Sequence, residues 1–177
     1  MREGIITEQS DTELAALLAA YAERVATGDS AREAVTVSVA RLAGFQNHGV
    51  AASGHEALVD EPTSFGGGGK AADPAELLLM AVGASLSVTL TAHAAMRDVP
   101  LEAVALNLSA WMAADSFFHP RGAAPAGIQD TTISLTVRSS APRAVLRAIA
   151  RDAMLASPVL RSLKRRPRIR INFEEPT

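Results

Sequence analysis

Residues Gly68–Pro100 read GGKAADPAELLLMAVGASLSVTLTAHAAMRDVP, and the fold is decided there. Asp73 stands where a helix N-cap belongs, Pro74 occupies the first helical position, and Glu76 lies three residues beyond the cap, a reciprocal capping arrangement. No Asp, Glu, Lys or Arg occurs from Leu77 to Met96. The pattern predicts a long helix from Pro74 to about Met96, ended by Val99-Pro100. Its apolar run approaches membrane-spanning length. Gly83, Ser85, Ser87, Thr89, Thr91 and His93 dilute it, however, and strand-like segments flank it, so a buried central helix is expected rather than a membrane span.

Upstream, the glycines at 66–69 and Pro62 make 61–73 a loop. Before it, Val35, Val37 and Val39 alternate with Thr36, Ser38 and Ala40. Two more strands are expected over Phe45–Ala52 and His55–Asp60, turned at Ser53-Gly54, giving a small antiparallel meander. Further back, Leu14, Leu17, Leu18, Tyr21 and Val25 recur at helical spacing between Asp11 and Thr27, an amphipathic arm whose apolar stripe should dock on something. Downstream, strands are expected over Leu101–Met112 and Ile128–Val137, paired across a long connection at 113–127. A helix from Ala141-Pro142 to about Ala156 carries Leu146, Ile149, Ala150 and Ala153 on one side and Arg143, Arg147 and Arg151 on the other. A short helical turn over Val159–Leu163 and a closing strand over Arg168–Phe173 complete the chain. The order predicts an α+β fold with a mostly antiparallel sheet.

The whole sequence agrees with an ordinary globular class. Its 177 residues suit one main domain, and 48% hydrophobic residues supply a core without staples. With 17 Lys+Arg against 19 Asp+Glu, net charge −2, no global field favours nucleic acid or an anionic membrane. The count of Cys is zero, which removes disulfides, thiolate metal sites and thiolate nucleophiles. Met1–Gln9 lacks the apolar run of a secretory signal, so a cytoplasmic location is expected.

Several pieces in order carry a family resemblance. Gly68-Gly69-Lys70 leads through Asp73-Pro74-Ala75-Glu76-Leu77 to Ala81-Val82-Gly83-Ala84-Ser85. The strand-turn pattern of 49–62, the segment Ala95-Met96-Arg97-Asp98-Val99-Pro100 and the later Ser157-Pro158-Val159 add to it. Together they resemble the OsmC/Ohr family of hydroperoxide reductases, over roughly Val35 to Phe173. The resemblance implies the OsmC-like fold, an intertwined homodimer with sites at the subunit interface, and peroxiredoxin-like chemistry in active members. On this basis residues 1–34 are expected to form an N-terminal helical arm and residues 35–177 the OsmC-like domain.

In active members a peroxide-attacking cysteine lies on the central helix and a resolving cysteine precedes the later Pro-Val. Those positions are Ser85 and Ser157 here. A serine hydroxyl cannot pass through a sulfenic acid to a disulfide, so the thiol cycle is closed to this chain. The family also uses a glutamate and an arginine. The glutamate position, ten residues before the first cysteine, is Ala75, while Glu76 lies nine before Ser85. Arg41 is the arginine in the first strand that could stand in. Glu76 is explained sufficiently by the capping box with Asp73.

The expectation that follows is a cysteine-less protein that binds a small apolar or amphipathic ligand at a dimer-interface pocket near Ser85, Leu86, Thr89, Met96 and Ser157, in a stress-related role. An alternative is a hydrolase using Ser85, but His93 lies eight residues along the same helix, about 12 Å away. Another is nucleic-acid or protein binding through segment 161–170, which holds Arg161, Lys164, Arg165, Arg166, Arg168 and Arg170. No aromatic residue interleaves with those charges, and a solvent-facing edge strand explains them, so nucleic acid is not expected. Lys70 is followed by Ala71, which does not make a phosphate loop, and the four histidines are not at ligand spacings. No cofactor or metal is expected.

Overall fold

The helix that opens at Asp73 forms as its capping chemistry dictates. In a computed structural model describing residues 11–28, 32–119, 121–122, 126–163 and 168–174, it spans Pro74–Ala95 (α2). The Glu76 N–H donates to Asp73 Oδ1 at 2.8 Å, and the Asp73 N–H donates to Glu76 Oε2 at 3.0 Å. Two orphan donors of the first turn are thereby satisfied.

The other elements follow the sequence order: α1 (Asp11–Ala26), β1 (Val37–Ala43), β2 (Gln46–Ala51), β3 (Glu56–Val59), then α2, β4 (Ala103–Trp111), α3 (Asp115–Phe118), β5 (Gln129–Arg138), α4 (Arg143–Ala156), α5 (Pro158–Ser162) and β6 (Arg168–Glu174). The strands form two sheets of three, β1-β2-β3 and β4-β5-β6. All pairs are antiparallel except β5 with β6, which run parallel across the α4–α5 connection. The connection between β4 and β5, expected as plain loop, contains the one-turn helix α3. The chain divides into two compact units, residues 1–29 with 83–177, and residues 30–82.

The larger unit has the apolar core. Val104, Leu106 and Leu108 share one face of their sheet with Ile133, Leu135 and Val137 by direct pairing. Buried with the β5 residues are Leu86, Leu90 and Ala94 of α2, Leu146, Ile149, Ala150 and Ala153 of α4, and Leu160 of α5. A Cβ on Gly83 would stand 2.9 Å from Leu108 Cδ1, so glycine lets α2 lie close to β4 here. Arg97, just past α2, ties that end to Asp152 of α4 by an ion pair.

The smaller unit is the meander, a 3-10 turn at Thr63–Phe65, the glycine-rich loop and the first turns of α2. Arg41 Nε donates to the Gly44 carbonyl at 2.8 Å, closing the first hairpin, where Gly44 takes φ +53. Every residue of β1 is exposed, although its Val37 and Val39 are apolar.

The long helix was expected to be buried. Within one chain it is buried along one side only. Val82, Leu86, Leu90 and Ala94 are sealed, whereas Leu78, Met80 and Val88 remain exposed, Val88 by 69%. The helix is long and apolar enough to cross a membrane by length and composition, but its sealed side belongs to the protein core. In α1, Leu14, Leu18 and Val25 are half-buried, while Leu17 and Tyr21 are exposed.

Candidate functional site

Ser85 and Ser157 lie 72 residues apart and meet. Their hydroxyl oxygens are 2.9 Å apart, a direct hydrogen bond. Ser85 sits two turns inside the uncharged part of α2 and is half-buried. Ser157 joins α4 to α5 and is fully buried. Ser157 does not cap α5 with its own hydroxyl. The Val159 N–H instead points to Ser85 Oγ at 3.4 Å, so a side chain of α2 accepts the orphan donor of another helix. The Ser157 N–H donates to the Ala153 carbonyl at 2.9 Å, and its own carbonyl accepts the Arg161 N–H at 3.0 Å. Thr89, one turn on, donates its hydroxyl to the Ser85 carbonyl.

Of the five expected pocket residues, the structure brings Ser85, Thr89 and Ser157 together. Leu86 is fully buried in the core, because one step along a helix turns a side chain about 100° from its neighbour. Met96 follows the end of α2, three turns beyond Ser85, and is 55% exposed. His93, the nearest histidine in sequence, has Nδ1 3.1 Å from Arg97 Nη1 and serves that contact rather than Ser85. Lys164, Arg165 and Arg166 of the basic segment lie outside the described residues. A cavity of about 460 Å³ elsewhere in this unit is lined by Ser139, Pro142, Arg143, Leu146, Phe173 and Glu174, none of them adjacent in sequence to Ser85 or Ser157.

The comparison with known proteins gives this serine pair its meaning. The family model described as OsmC-like protein matches residues 67–172. The chain belongs to the OsmC-like protein family. None of the curated proteins matches it. Among solved structures, an OsmC-like protein from Mycoplasma pneumoniae superposes with TM-score 0.66 at 11% identity, covering 82% of this chain and 99% of the other. An OsmC-like protein of unknown function from Vibrio cholerae gives 0.67 at 11%, covering 79% and 99%. An organic hydroperoxide resistance protein OsmC from Legionella pneumophila gives 0.59 at 15%, covering 82% and 99%. These likenesses establish the OsmC-like fold. This OsmC-like chain contains no cysteine, and its hydroxyl pair occupies the two positions where the resemblance expects thiols.

The smaller unit contains a polar centre that sequence reading missed, Asp60. Its side chain is buried and accepts the N–H of Glu61 at 2.9 Å, of Gly68 at 3.3 Å and of Lys70 at 3.2 Å, with Gln46 Nε2 at 3.4 Å. Burial pushes this carboxyl upward. The N–H groups of Lys70, Gly68 and Glu61, with the Gln46 amide, outweigh burial and hold it below the ordinary aspartate range. Glu61 shifts the other way, raised by burial and by the charges of Asp73 and Asp60. The acids Asp60 and Glu61 at a strand end before four glycines are the available signal, since a loop so rich in N–H donors needs an acceptor.

The two shifts predict opposite pH effects. Stability from Asp60 is fully present above its unfolded pKa and is lost as pH falls through the lower folded value, below about pH 4. Ionised Glu61 costs stability above its raised folded pKa, and protonation relieves it. Melting curves from pH 7 down to pH 3 should show Asp60→Asn destabilised at pH 7, with the gap to wild type closing in acid. Glu61→Gln should melt above wild type at pH 7 and with it in acid. A pH-independent gap for either variant overturns the assignment.

Proposed function

We propose that this OsmC-like protein works as a homodimer that has exchanged thiol redox chemistry for binding of a small apolar or amphipathic ligand beside Ser85, in a stress-related role in the cytoplasm. The observation that carries the reading is the Ser85–Ser157 hydroxyl pair. Two hydroxyls offer a peroxide hydrogen bonds but no electrons, so hydroperoxide reduction by the family's route stops before its first step. What remains is a partly buried hydroxyl pair on a largely apolar helix, the composition of a site that orients a mostly hydrophobic molecule.

Dimerisation is supported by surfaces that a single chain leaves unpaid in hydrophobic terms. Leu78, Met80 and Val88 on α2 and Val37, Val39 and Leu42 on β1 are all exposed. Each large apolar side chain kept in water forgoes about 1.5–3 kcal/mol. The dimer expected of this chain has an interface larger than the standard of about 1,600 Å².

Native mass spectrometry and sedimentation of the purified full chain test the reading together. The expected result is a dimer at micromolar concentration with a non-covalently bound organic molecule, released by Ser85→Phe. A monomer overturns the assembly, and a dimer that neither co-purifies with nor takes up any amphipathic molecule overturns the ligand reading. Hydroperoxide turnover with a dithiol donor should not exceed the buffer control; measurable turnover would refute the loss of redox chemistry.

A further inference from the structure

The basic segment reads along the chain as charge without aromatics, but strand register changes its neighbours. In the β4-β5-β6 sheet, Ser109 pairs with Thr132, which pairs with Arg168. The next row is Asn107, Ser134 and Arg170. The partner positions Leu108, Ile133 and Ile169 belong to the opposite, core-facing side, so these two rows lie on the outer face. Trp111 lies two residues beyond Ser109 on β4, next to a bulge where Asp130 takes φ +48, and it is 75% exposed.

The outer face therefore has an indole on one edge strand and two guanidinium groups on the other; the two rows at Ser109 and Asn107 hold only short hydroxyl and amide side chains on the inner strands, and the Asp130 carboxylate lies at the Trp111 end, beside Arg168. β4 and β6 are about 10 Å apart across the sheet, and Trp111 lies two residues beyond the Ser109–Arg168 row, so the backbone of Trp111 is about 12 Å from that of Arg168 and about 16 Å from that of Arg170; Arg168 and Arg170 are about 6.7 Å apart along β6. Arg168 is met only loosely by Asp130, at 3.9 Å, with both side chains largely exposed. Glu174 closes the far end of the same face. A ring open on its face, hydrogen-bonding groups, and cations spaced in a line match the three parts of an extended nucleotide strand: base, sugar and phosphate. A lipid surface would want several apolar side chains beside the cations, and the rows between Trp111 and the arginines contain none.

We propose that the outer face of the β4-β5-β6 sheet is a binding platform for single-stranded nucleic acid, with Arg168 and Arg170 taking phosphates and Trp111 stacking a base. The platform is independent of the ligand site beside Ser85. Its affinity is modest, in the micromolar range at low salt, because two phosphates are neutralised.

Trp111 is the single tryptophan of the chain, so intrinsic emission reports directly on the face. Oligothymidylate and oligouridylate of a dozen nucleotides, titrated separately into the full-length protein, should quench the emission and show whether DNA or RNA is preferred. The logarithm of affinity should fall with that of salt at a slope of about −1.4. The double change Arg168→Glu with Arg170→Glu should weaken binding more than tenfold with an unchanged circular dichroism spectrum, and Trp111→Leu, followed by the fluorescence anisotropy of a dye-labelled oligonucleotide because the variant has no tryptophan, should weaken it roughly tenfold. Absence of quenching, equal binding of the charge-reversed variant, or equal quenching by heparin or by phosphatidylserine vesicles overturns the proposal.

Discussion

Gly67→Ala should lower the melting temperature by roughly 6–12 °C, the largest effect expected of a methyl group added at any glycine among the described residues. A Cβ at this position would stand 1.9 Å from the Glu61 carbonyl oxygen, 2.4 Å from its carbon and 2.8 Å from its Cα. These are backbone atoms, fixed on both sides. The Gly67 N–H donates to the Pro62 carbonyl at 3.1 Å, and the Gly69 N–H to the Glu61 carbonyl itself at 3.1 Å. Relief requires the loop to open, which pulls the Gly68 and Lys70 N–H groups from the buried Asp60 carboxylate. Overpacking costs about 1–3 kcal/mol, and disruption of a buried polar network places this case at the upper end or beyond. Gly49→Ala is the control. The same added carbon there meets nothing nearer than 3.7 Å, so its melting temperature should stay close to wild type. If both variants melt together with wild type, the close approach at Glu61 is wrong.

The features legible in the sequence are those whose causes are local. Asp73, Pro74 and Glu76 specify the start of α2 within four residues, and the bonds form as expected. Alternation in Ile133, Leu135 and Val137 against Thr132, Ser134 and Thr136 fixes the two faces of β5, because one face of that strand is sealed. The illegible features depend on partners far along the chain. Nothing near Val159 says that its N–H meets Ser85, and nothing near Arg168 says that its strand runs parallel to β5 in the row of Ser109. Sequence distance groups Leu86 and Met96 with Ser85, whereas helical angle and rise separate them. Asp60 reads locally as a strand end, because two of its three N–H donors, Gly68 and Lys70, lie eight and ten residues downstream in a loop that lacks periodicity.

The double replacement Ser85→Cys with Ser157→Cys is the most informative change to the site. The two hydroxyl oxygens are already 2.9 Å apart, so the sulfurs are placed side by side with little movement of Cβ. Organic hydroperoxide then has a route: one thiolate attacks the peroxide, releasing alcohol and forming a sulfenic acid, and the second thiol displaces water to close the disulfide. One hydroperoxide is reduced for each pair of thiols oxidised. The oxidised variant should weigh two hydrogens less than the reduced one. A bond closing a loop of 72 residues contributes up to about 4 kcal/mol, which should raise its melting temperature over the reduced form by roughly 8–16 °C. The reduced form should melt slightly below wild type, since sulfur is a poorer acceptor for the Val159 N–H. Failure to form the disulfide under mild oxidant would show that the serine pair does not sit as described. Disulfide formation with diamide but none with hydroperoxide separates two causes of inactivity: the thiols are then competent, and what the chain lacks is an arrangement that steadies a peroxide. That outcome would place the divergence from active OsmC-like proteins beyond Ser85 and Ser157, at the family's glutamate position, which is Ala75 here, or at its arginine.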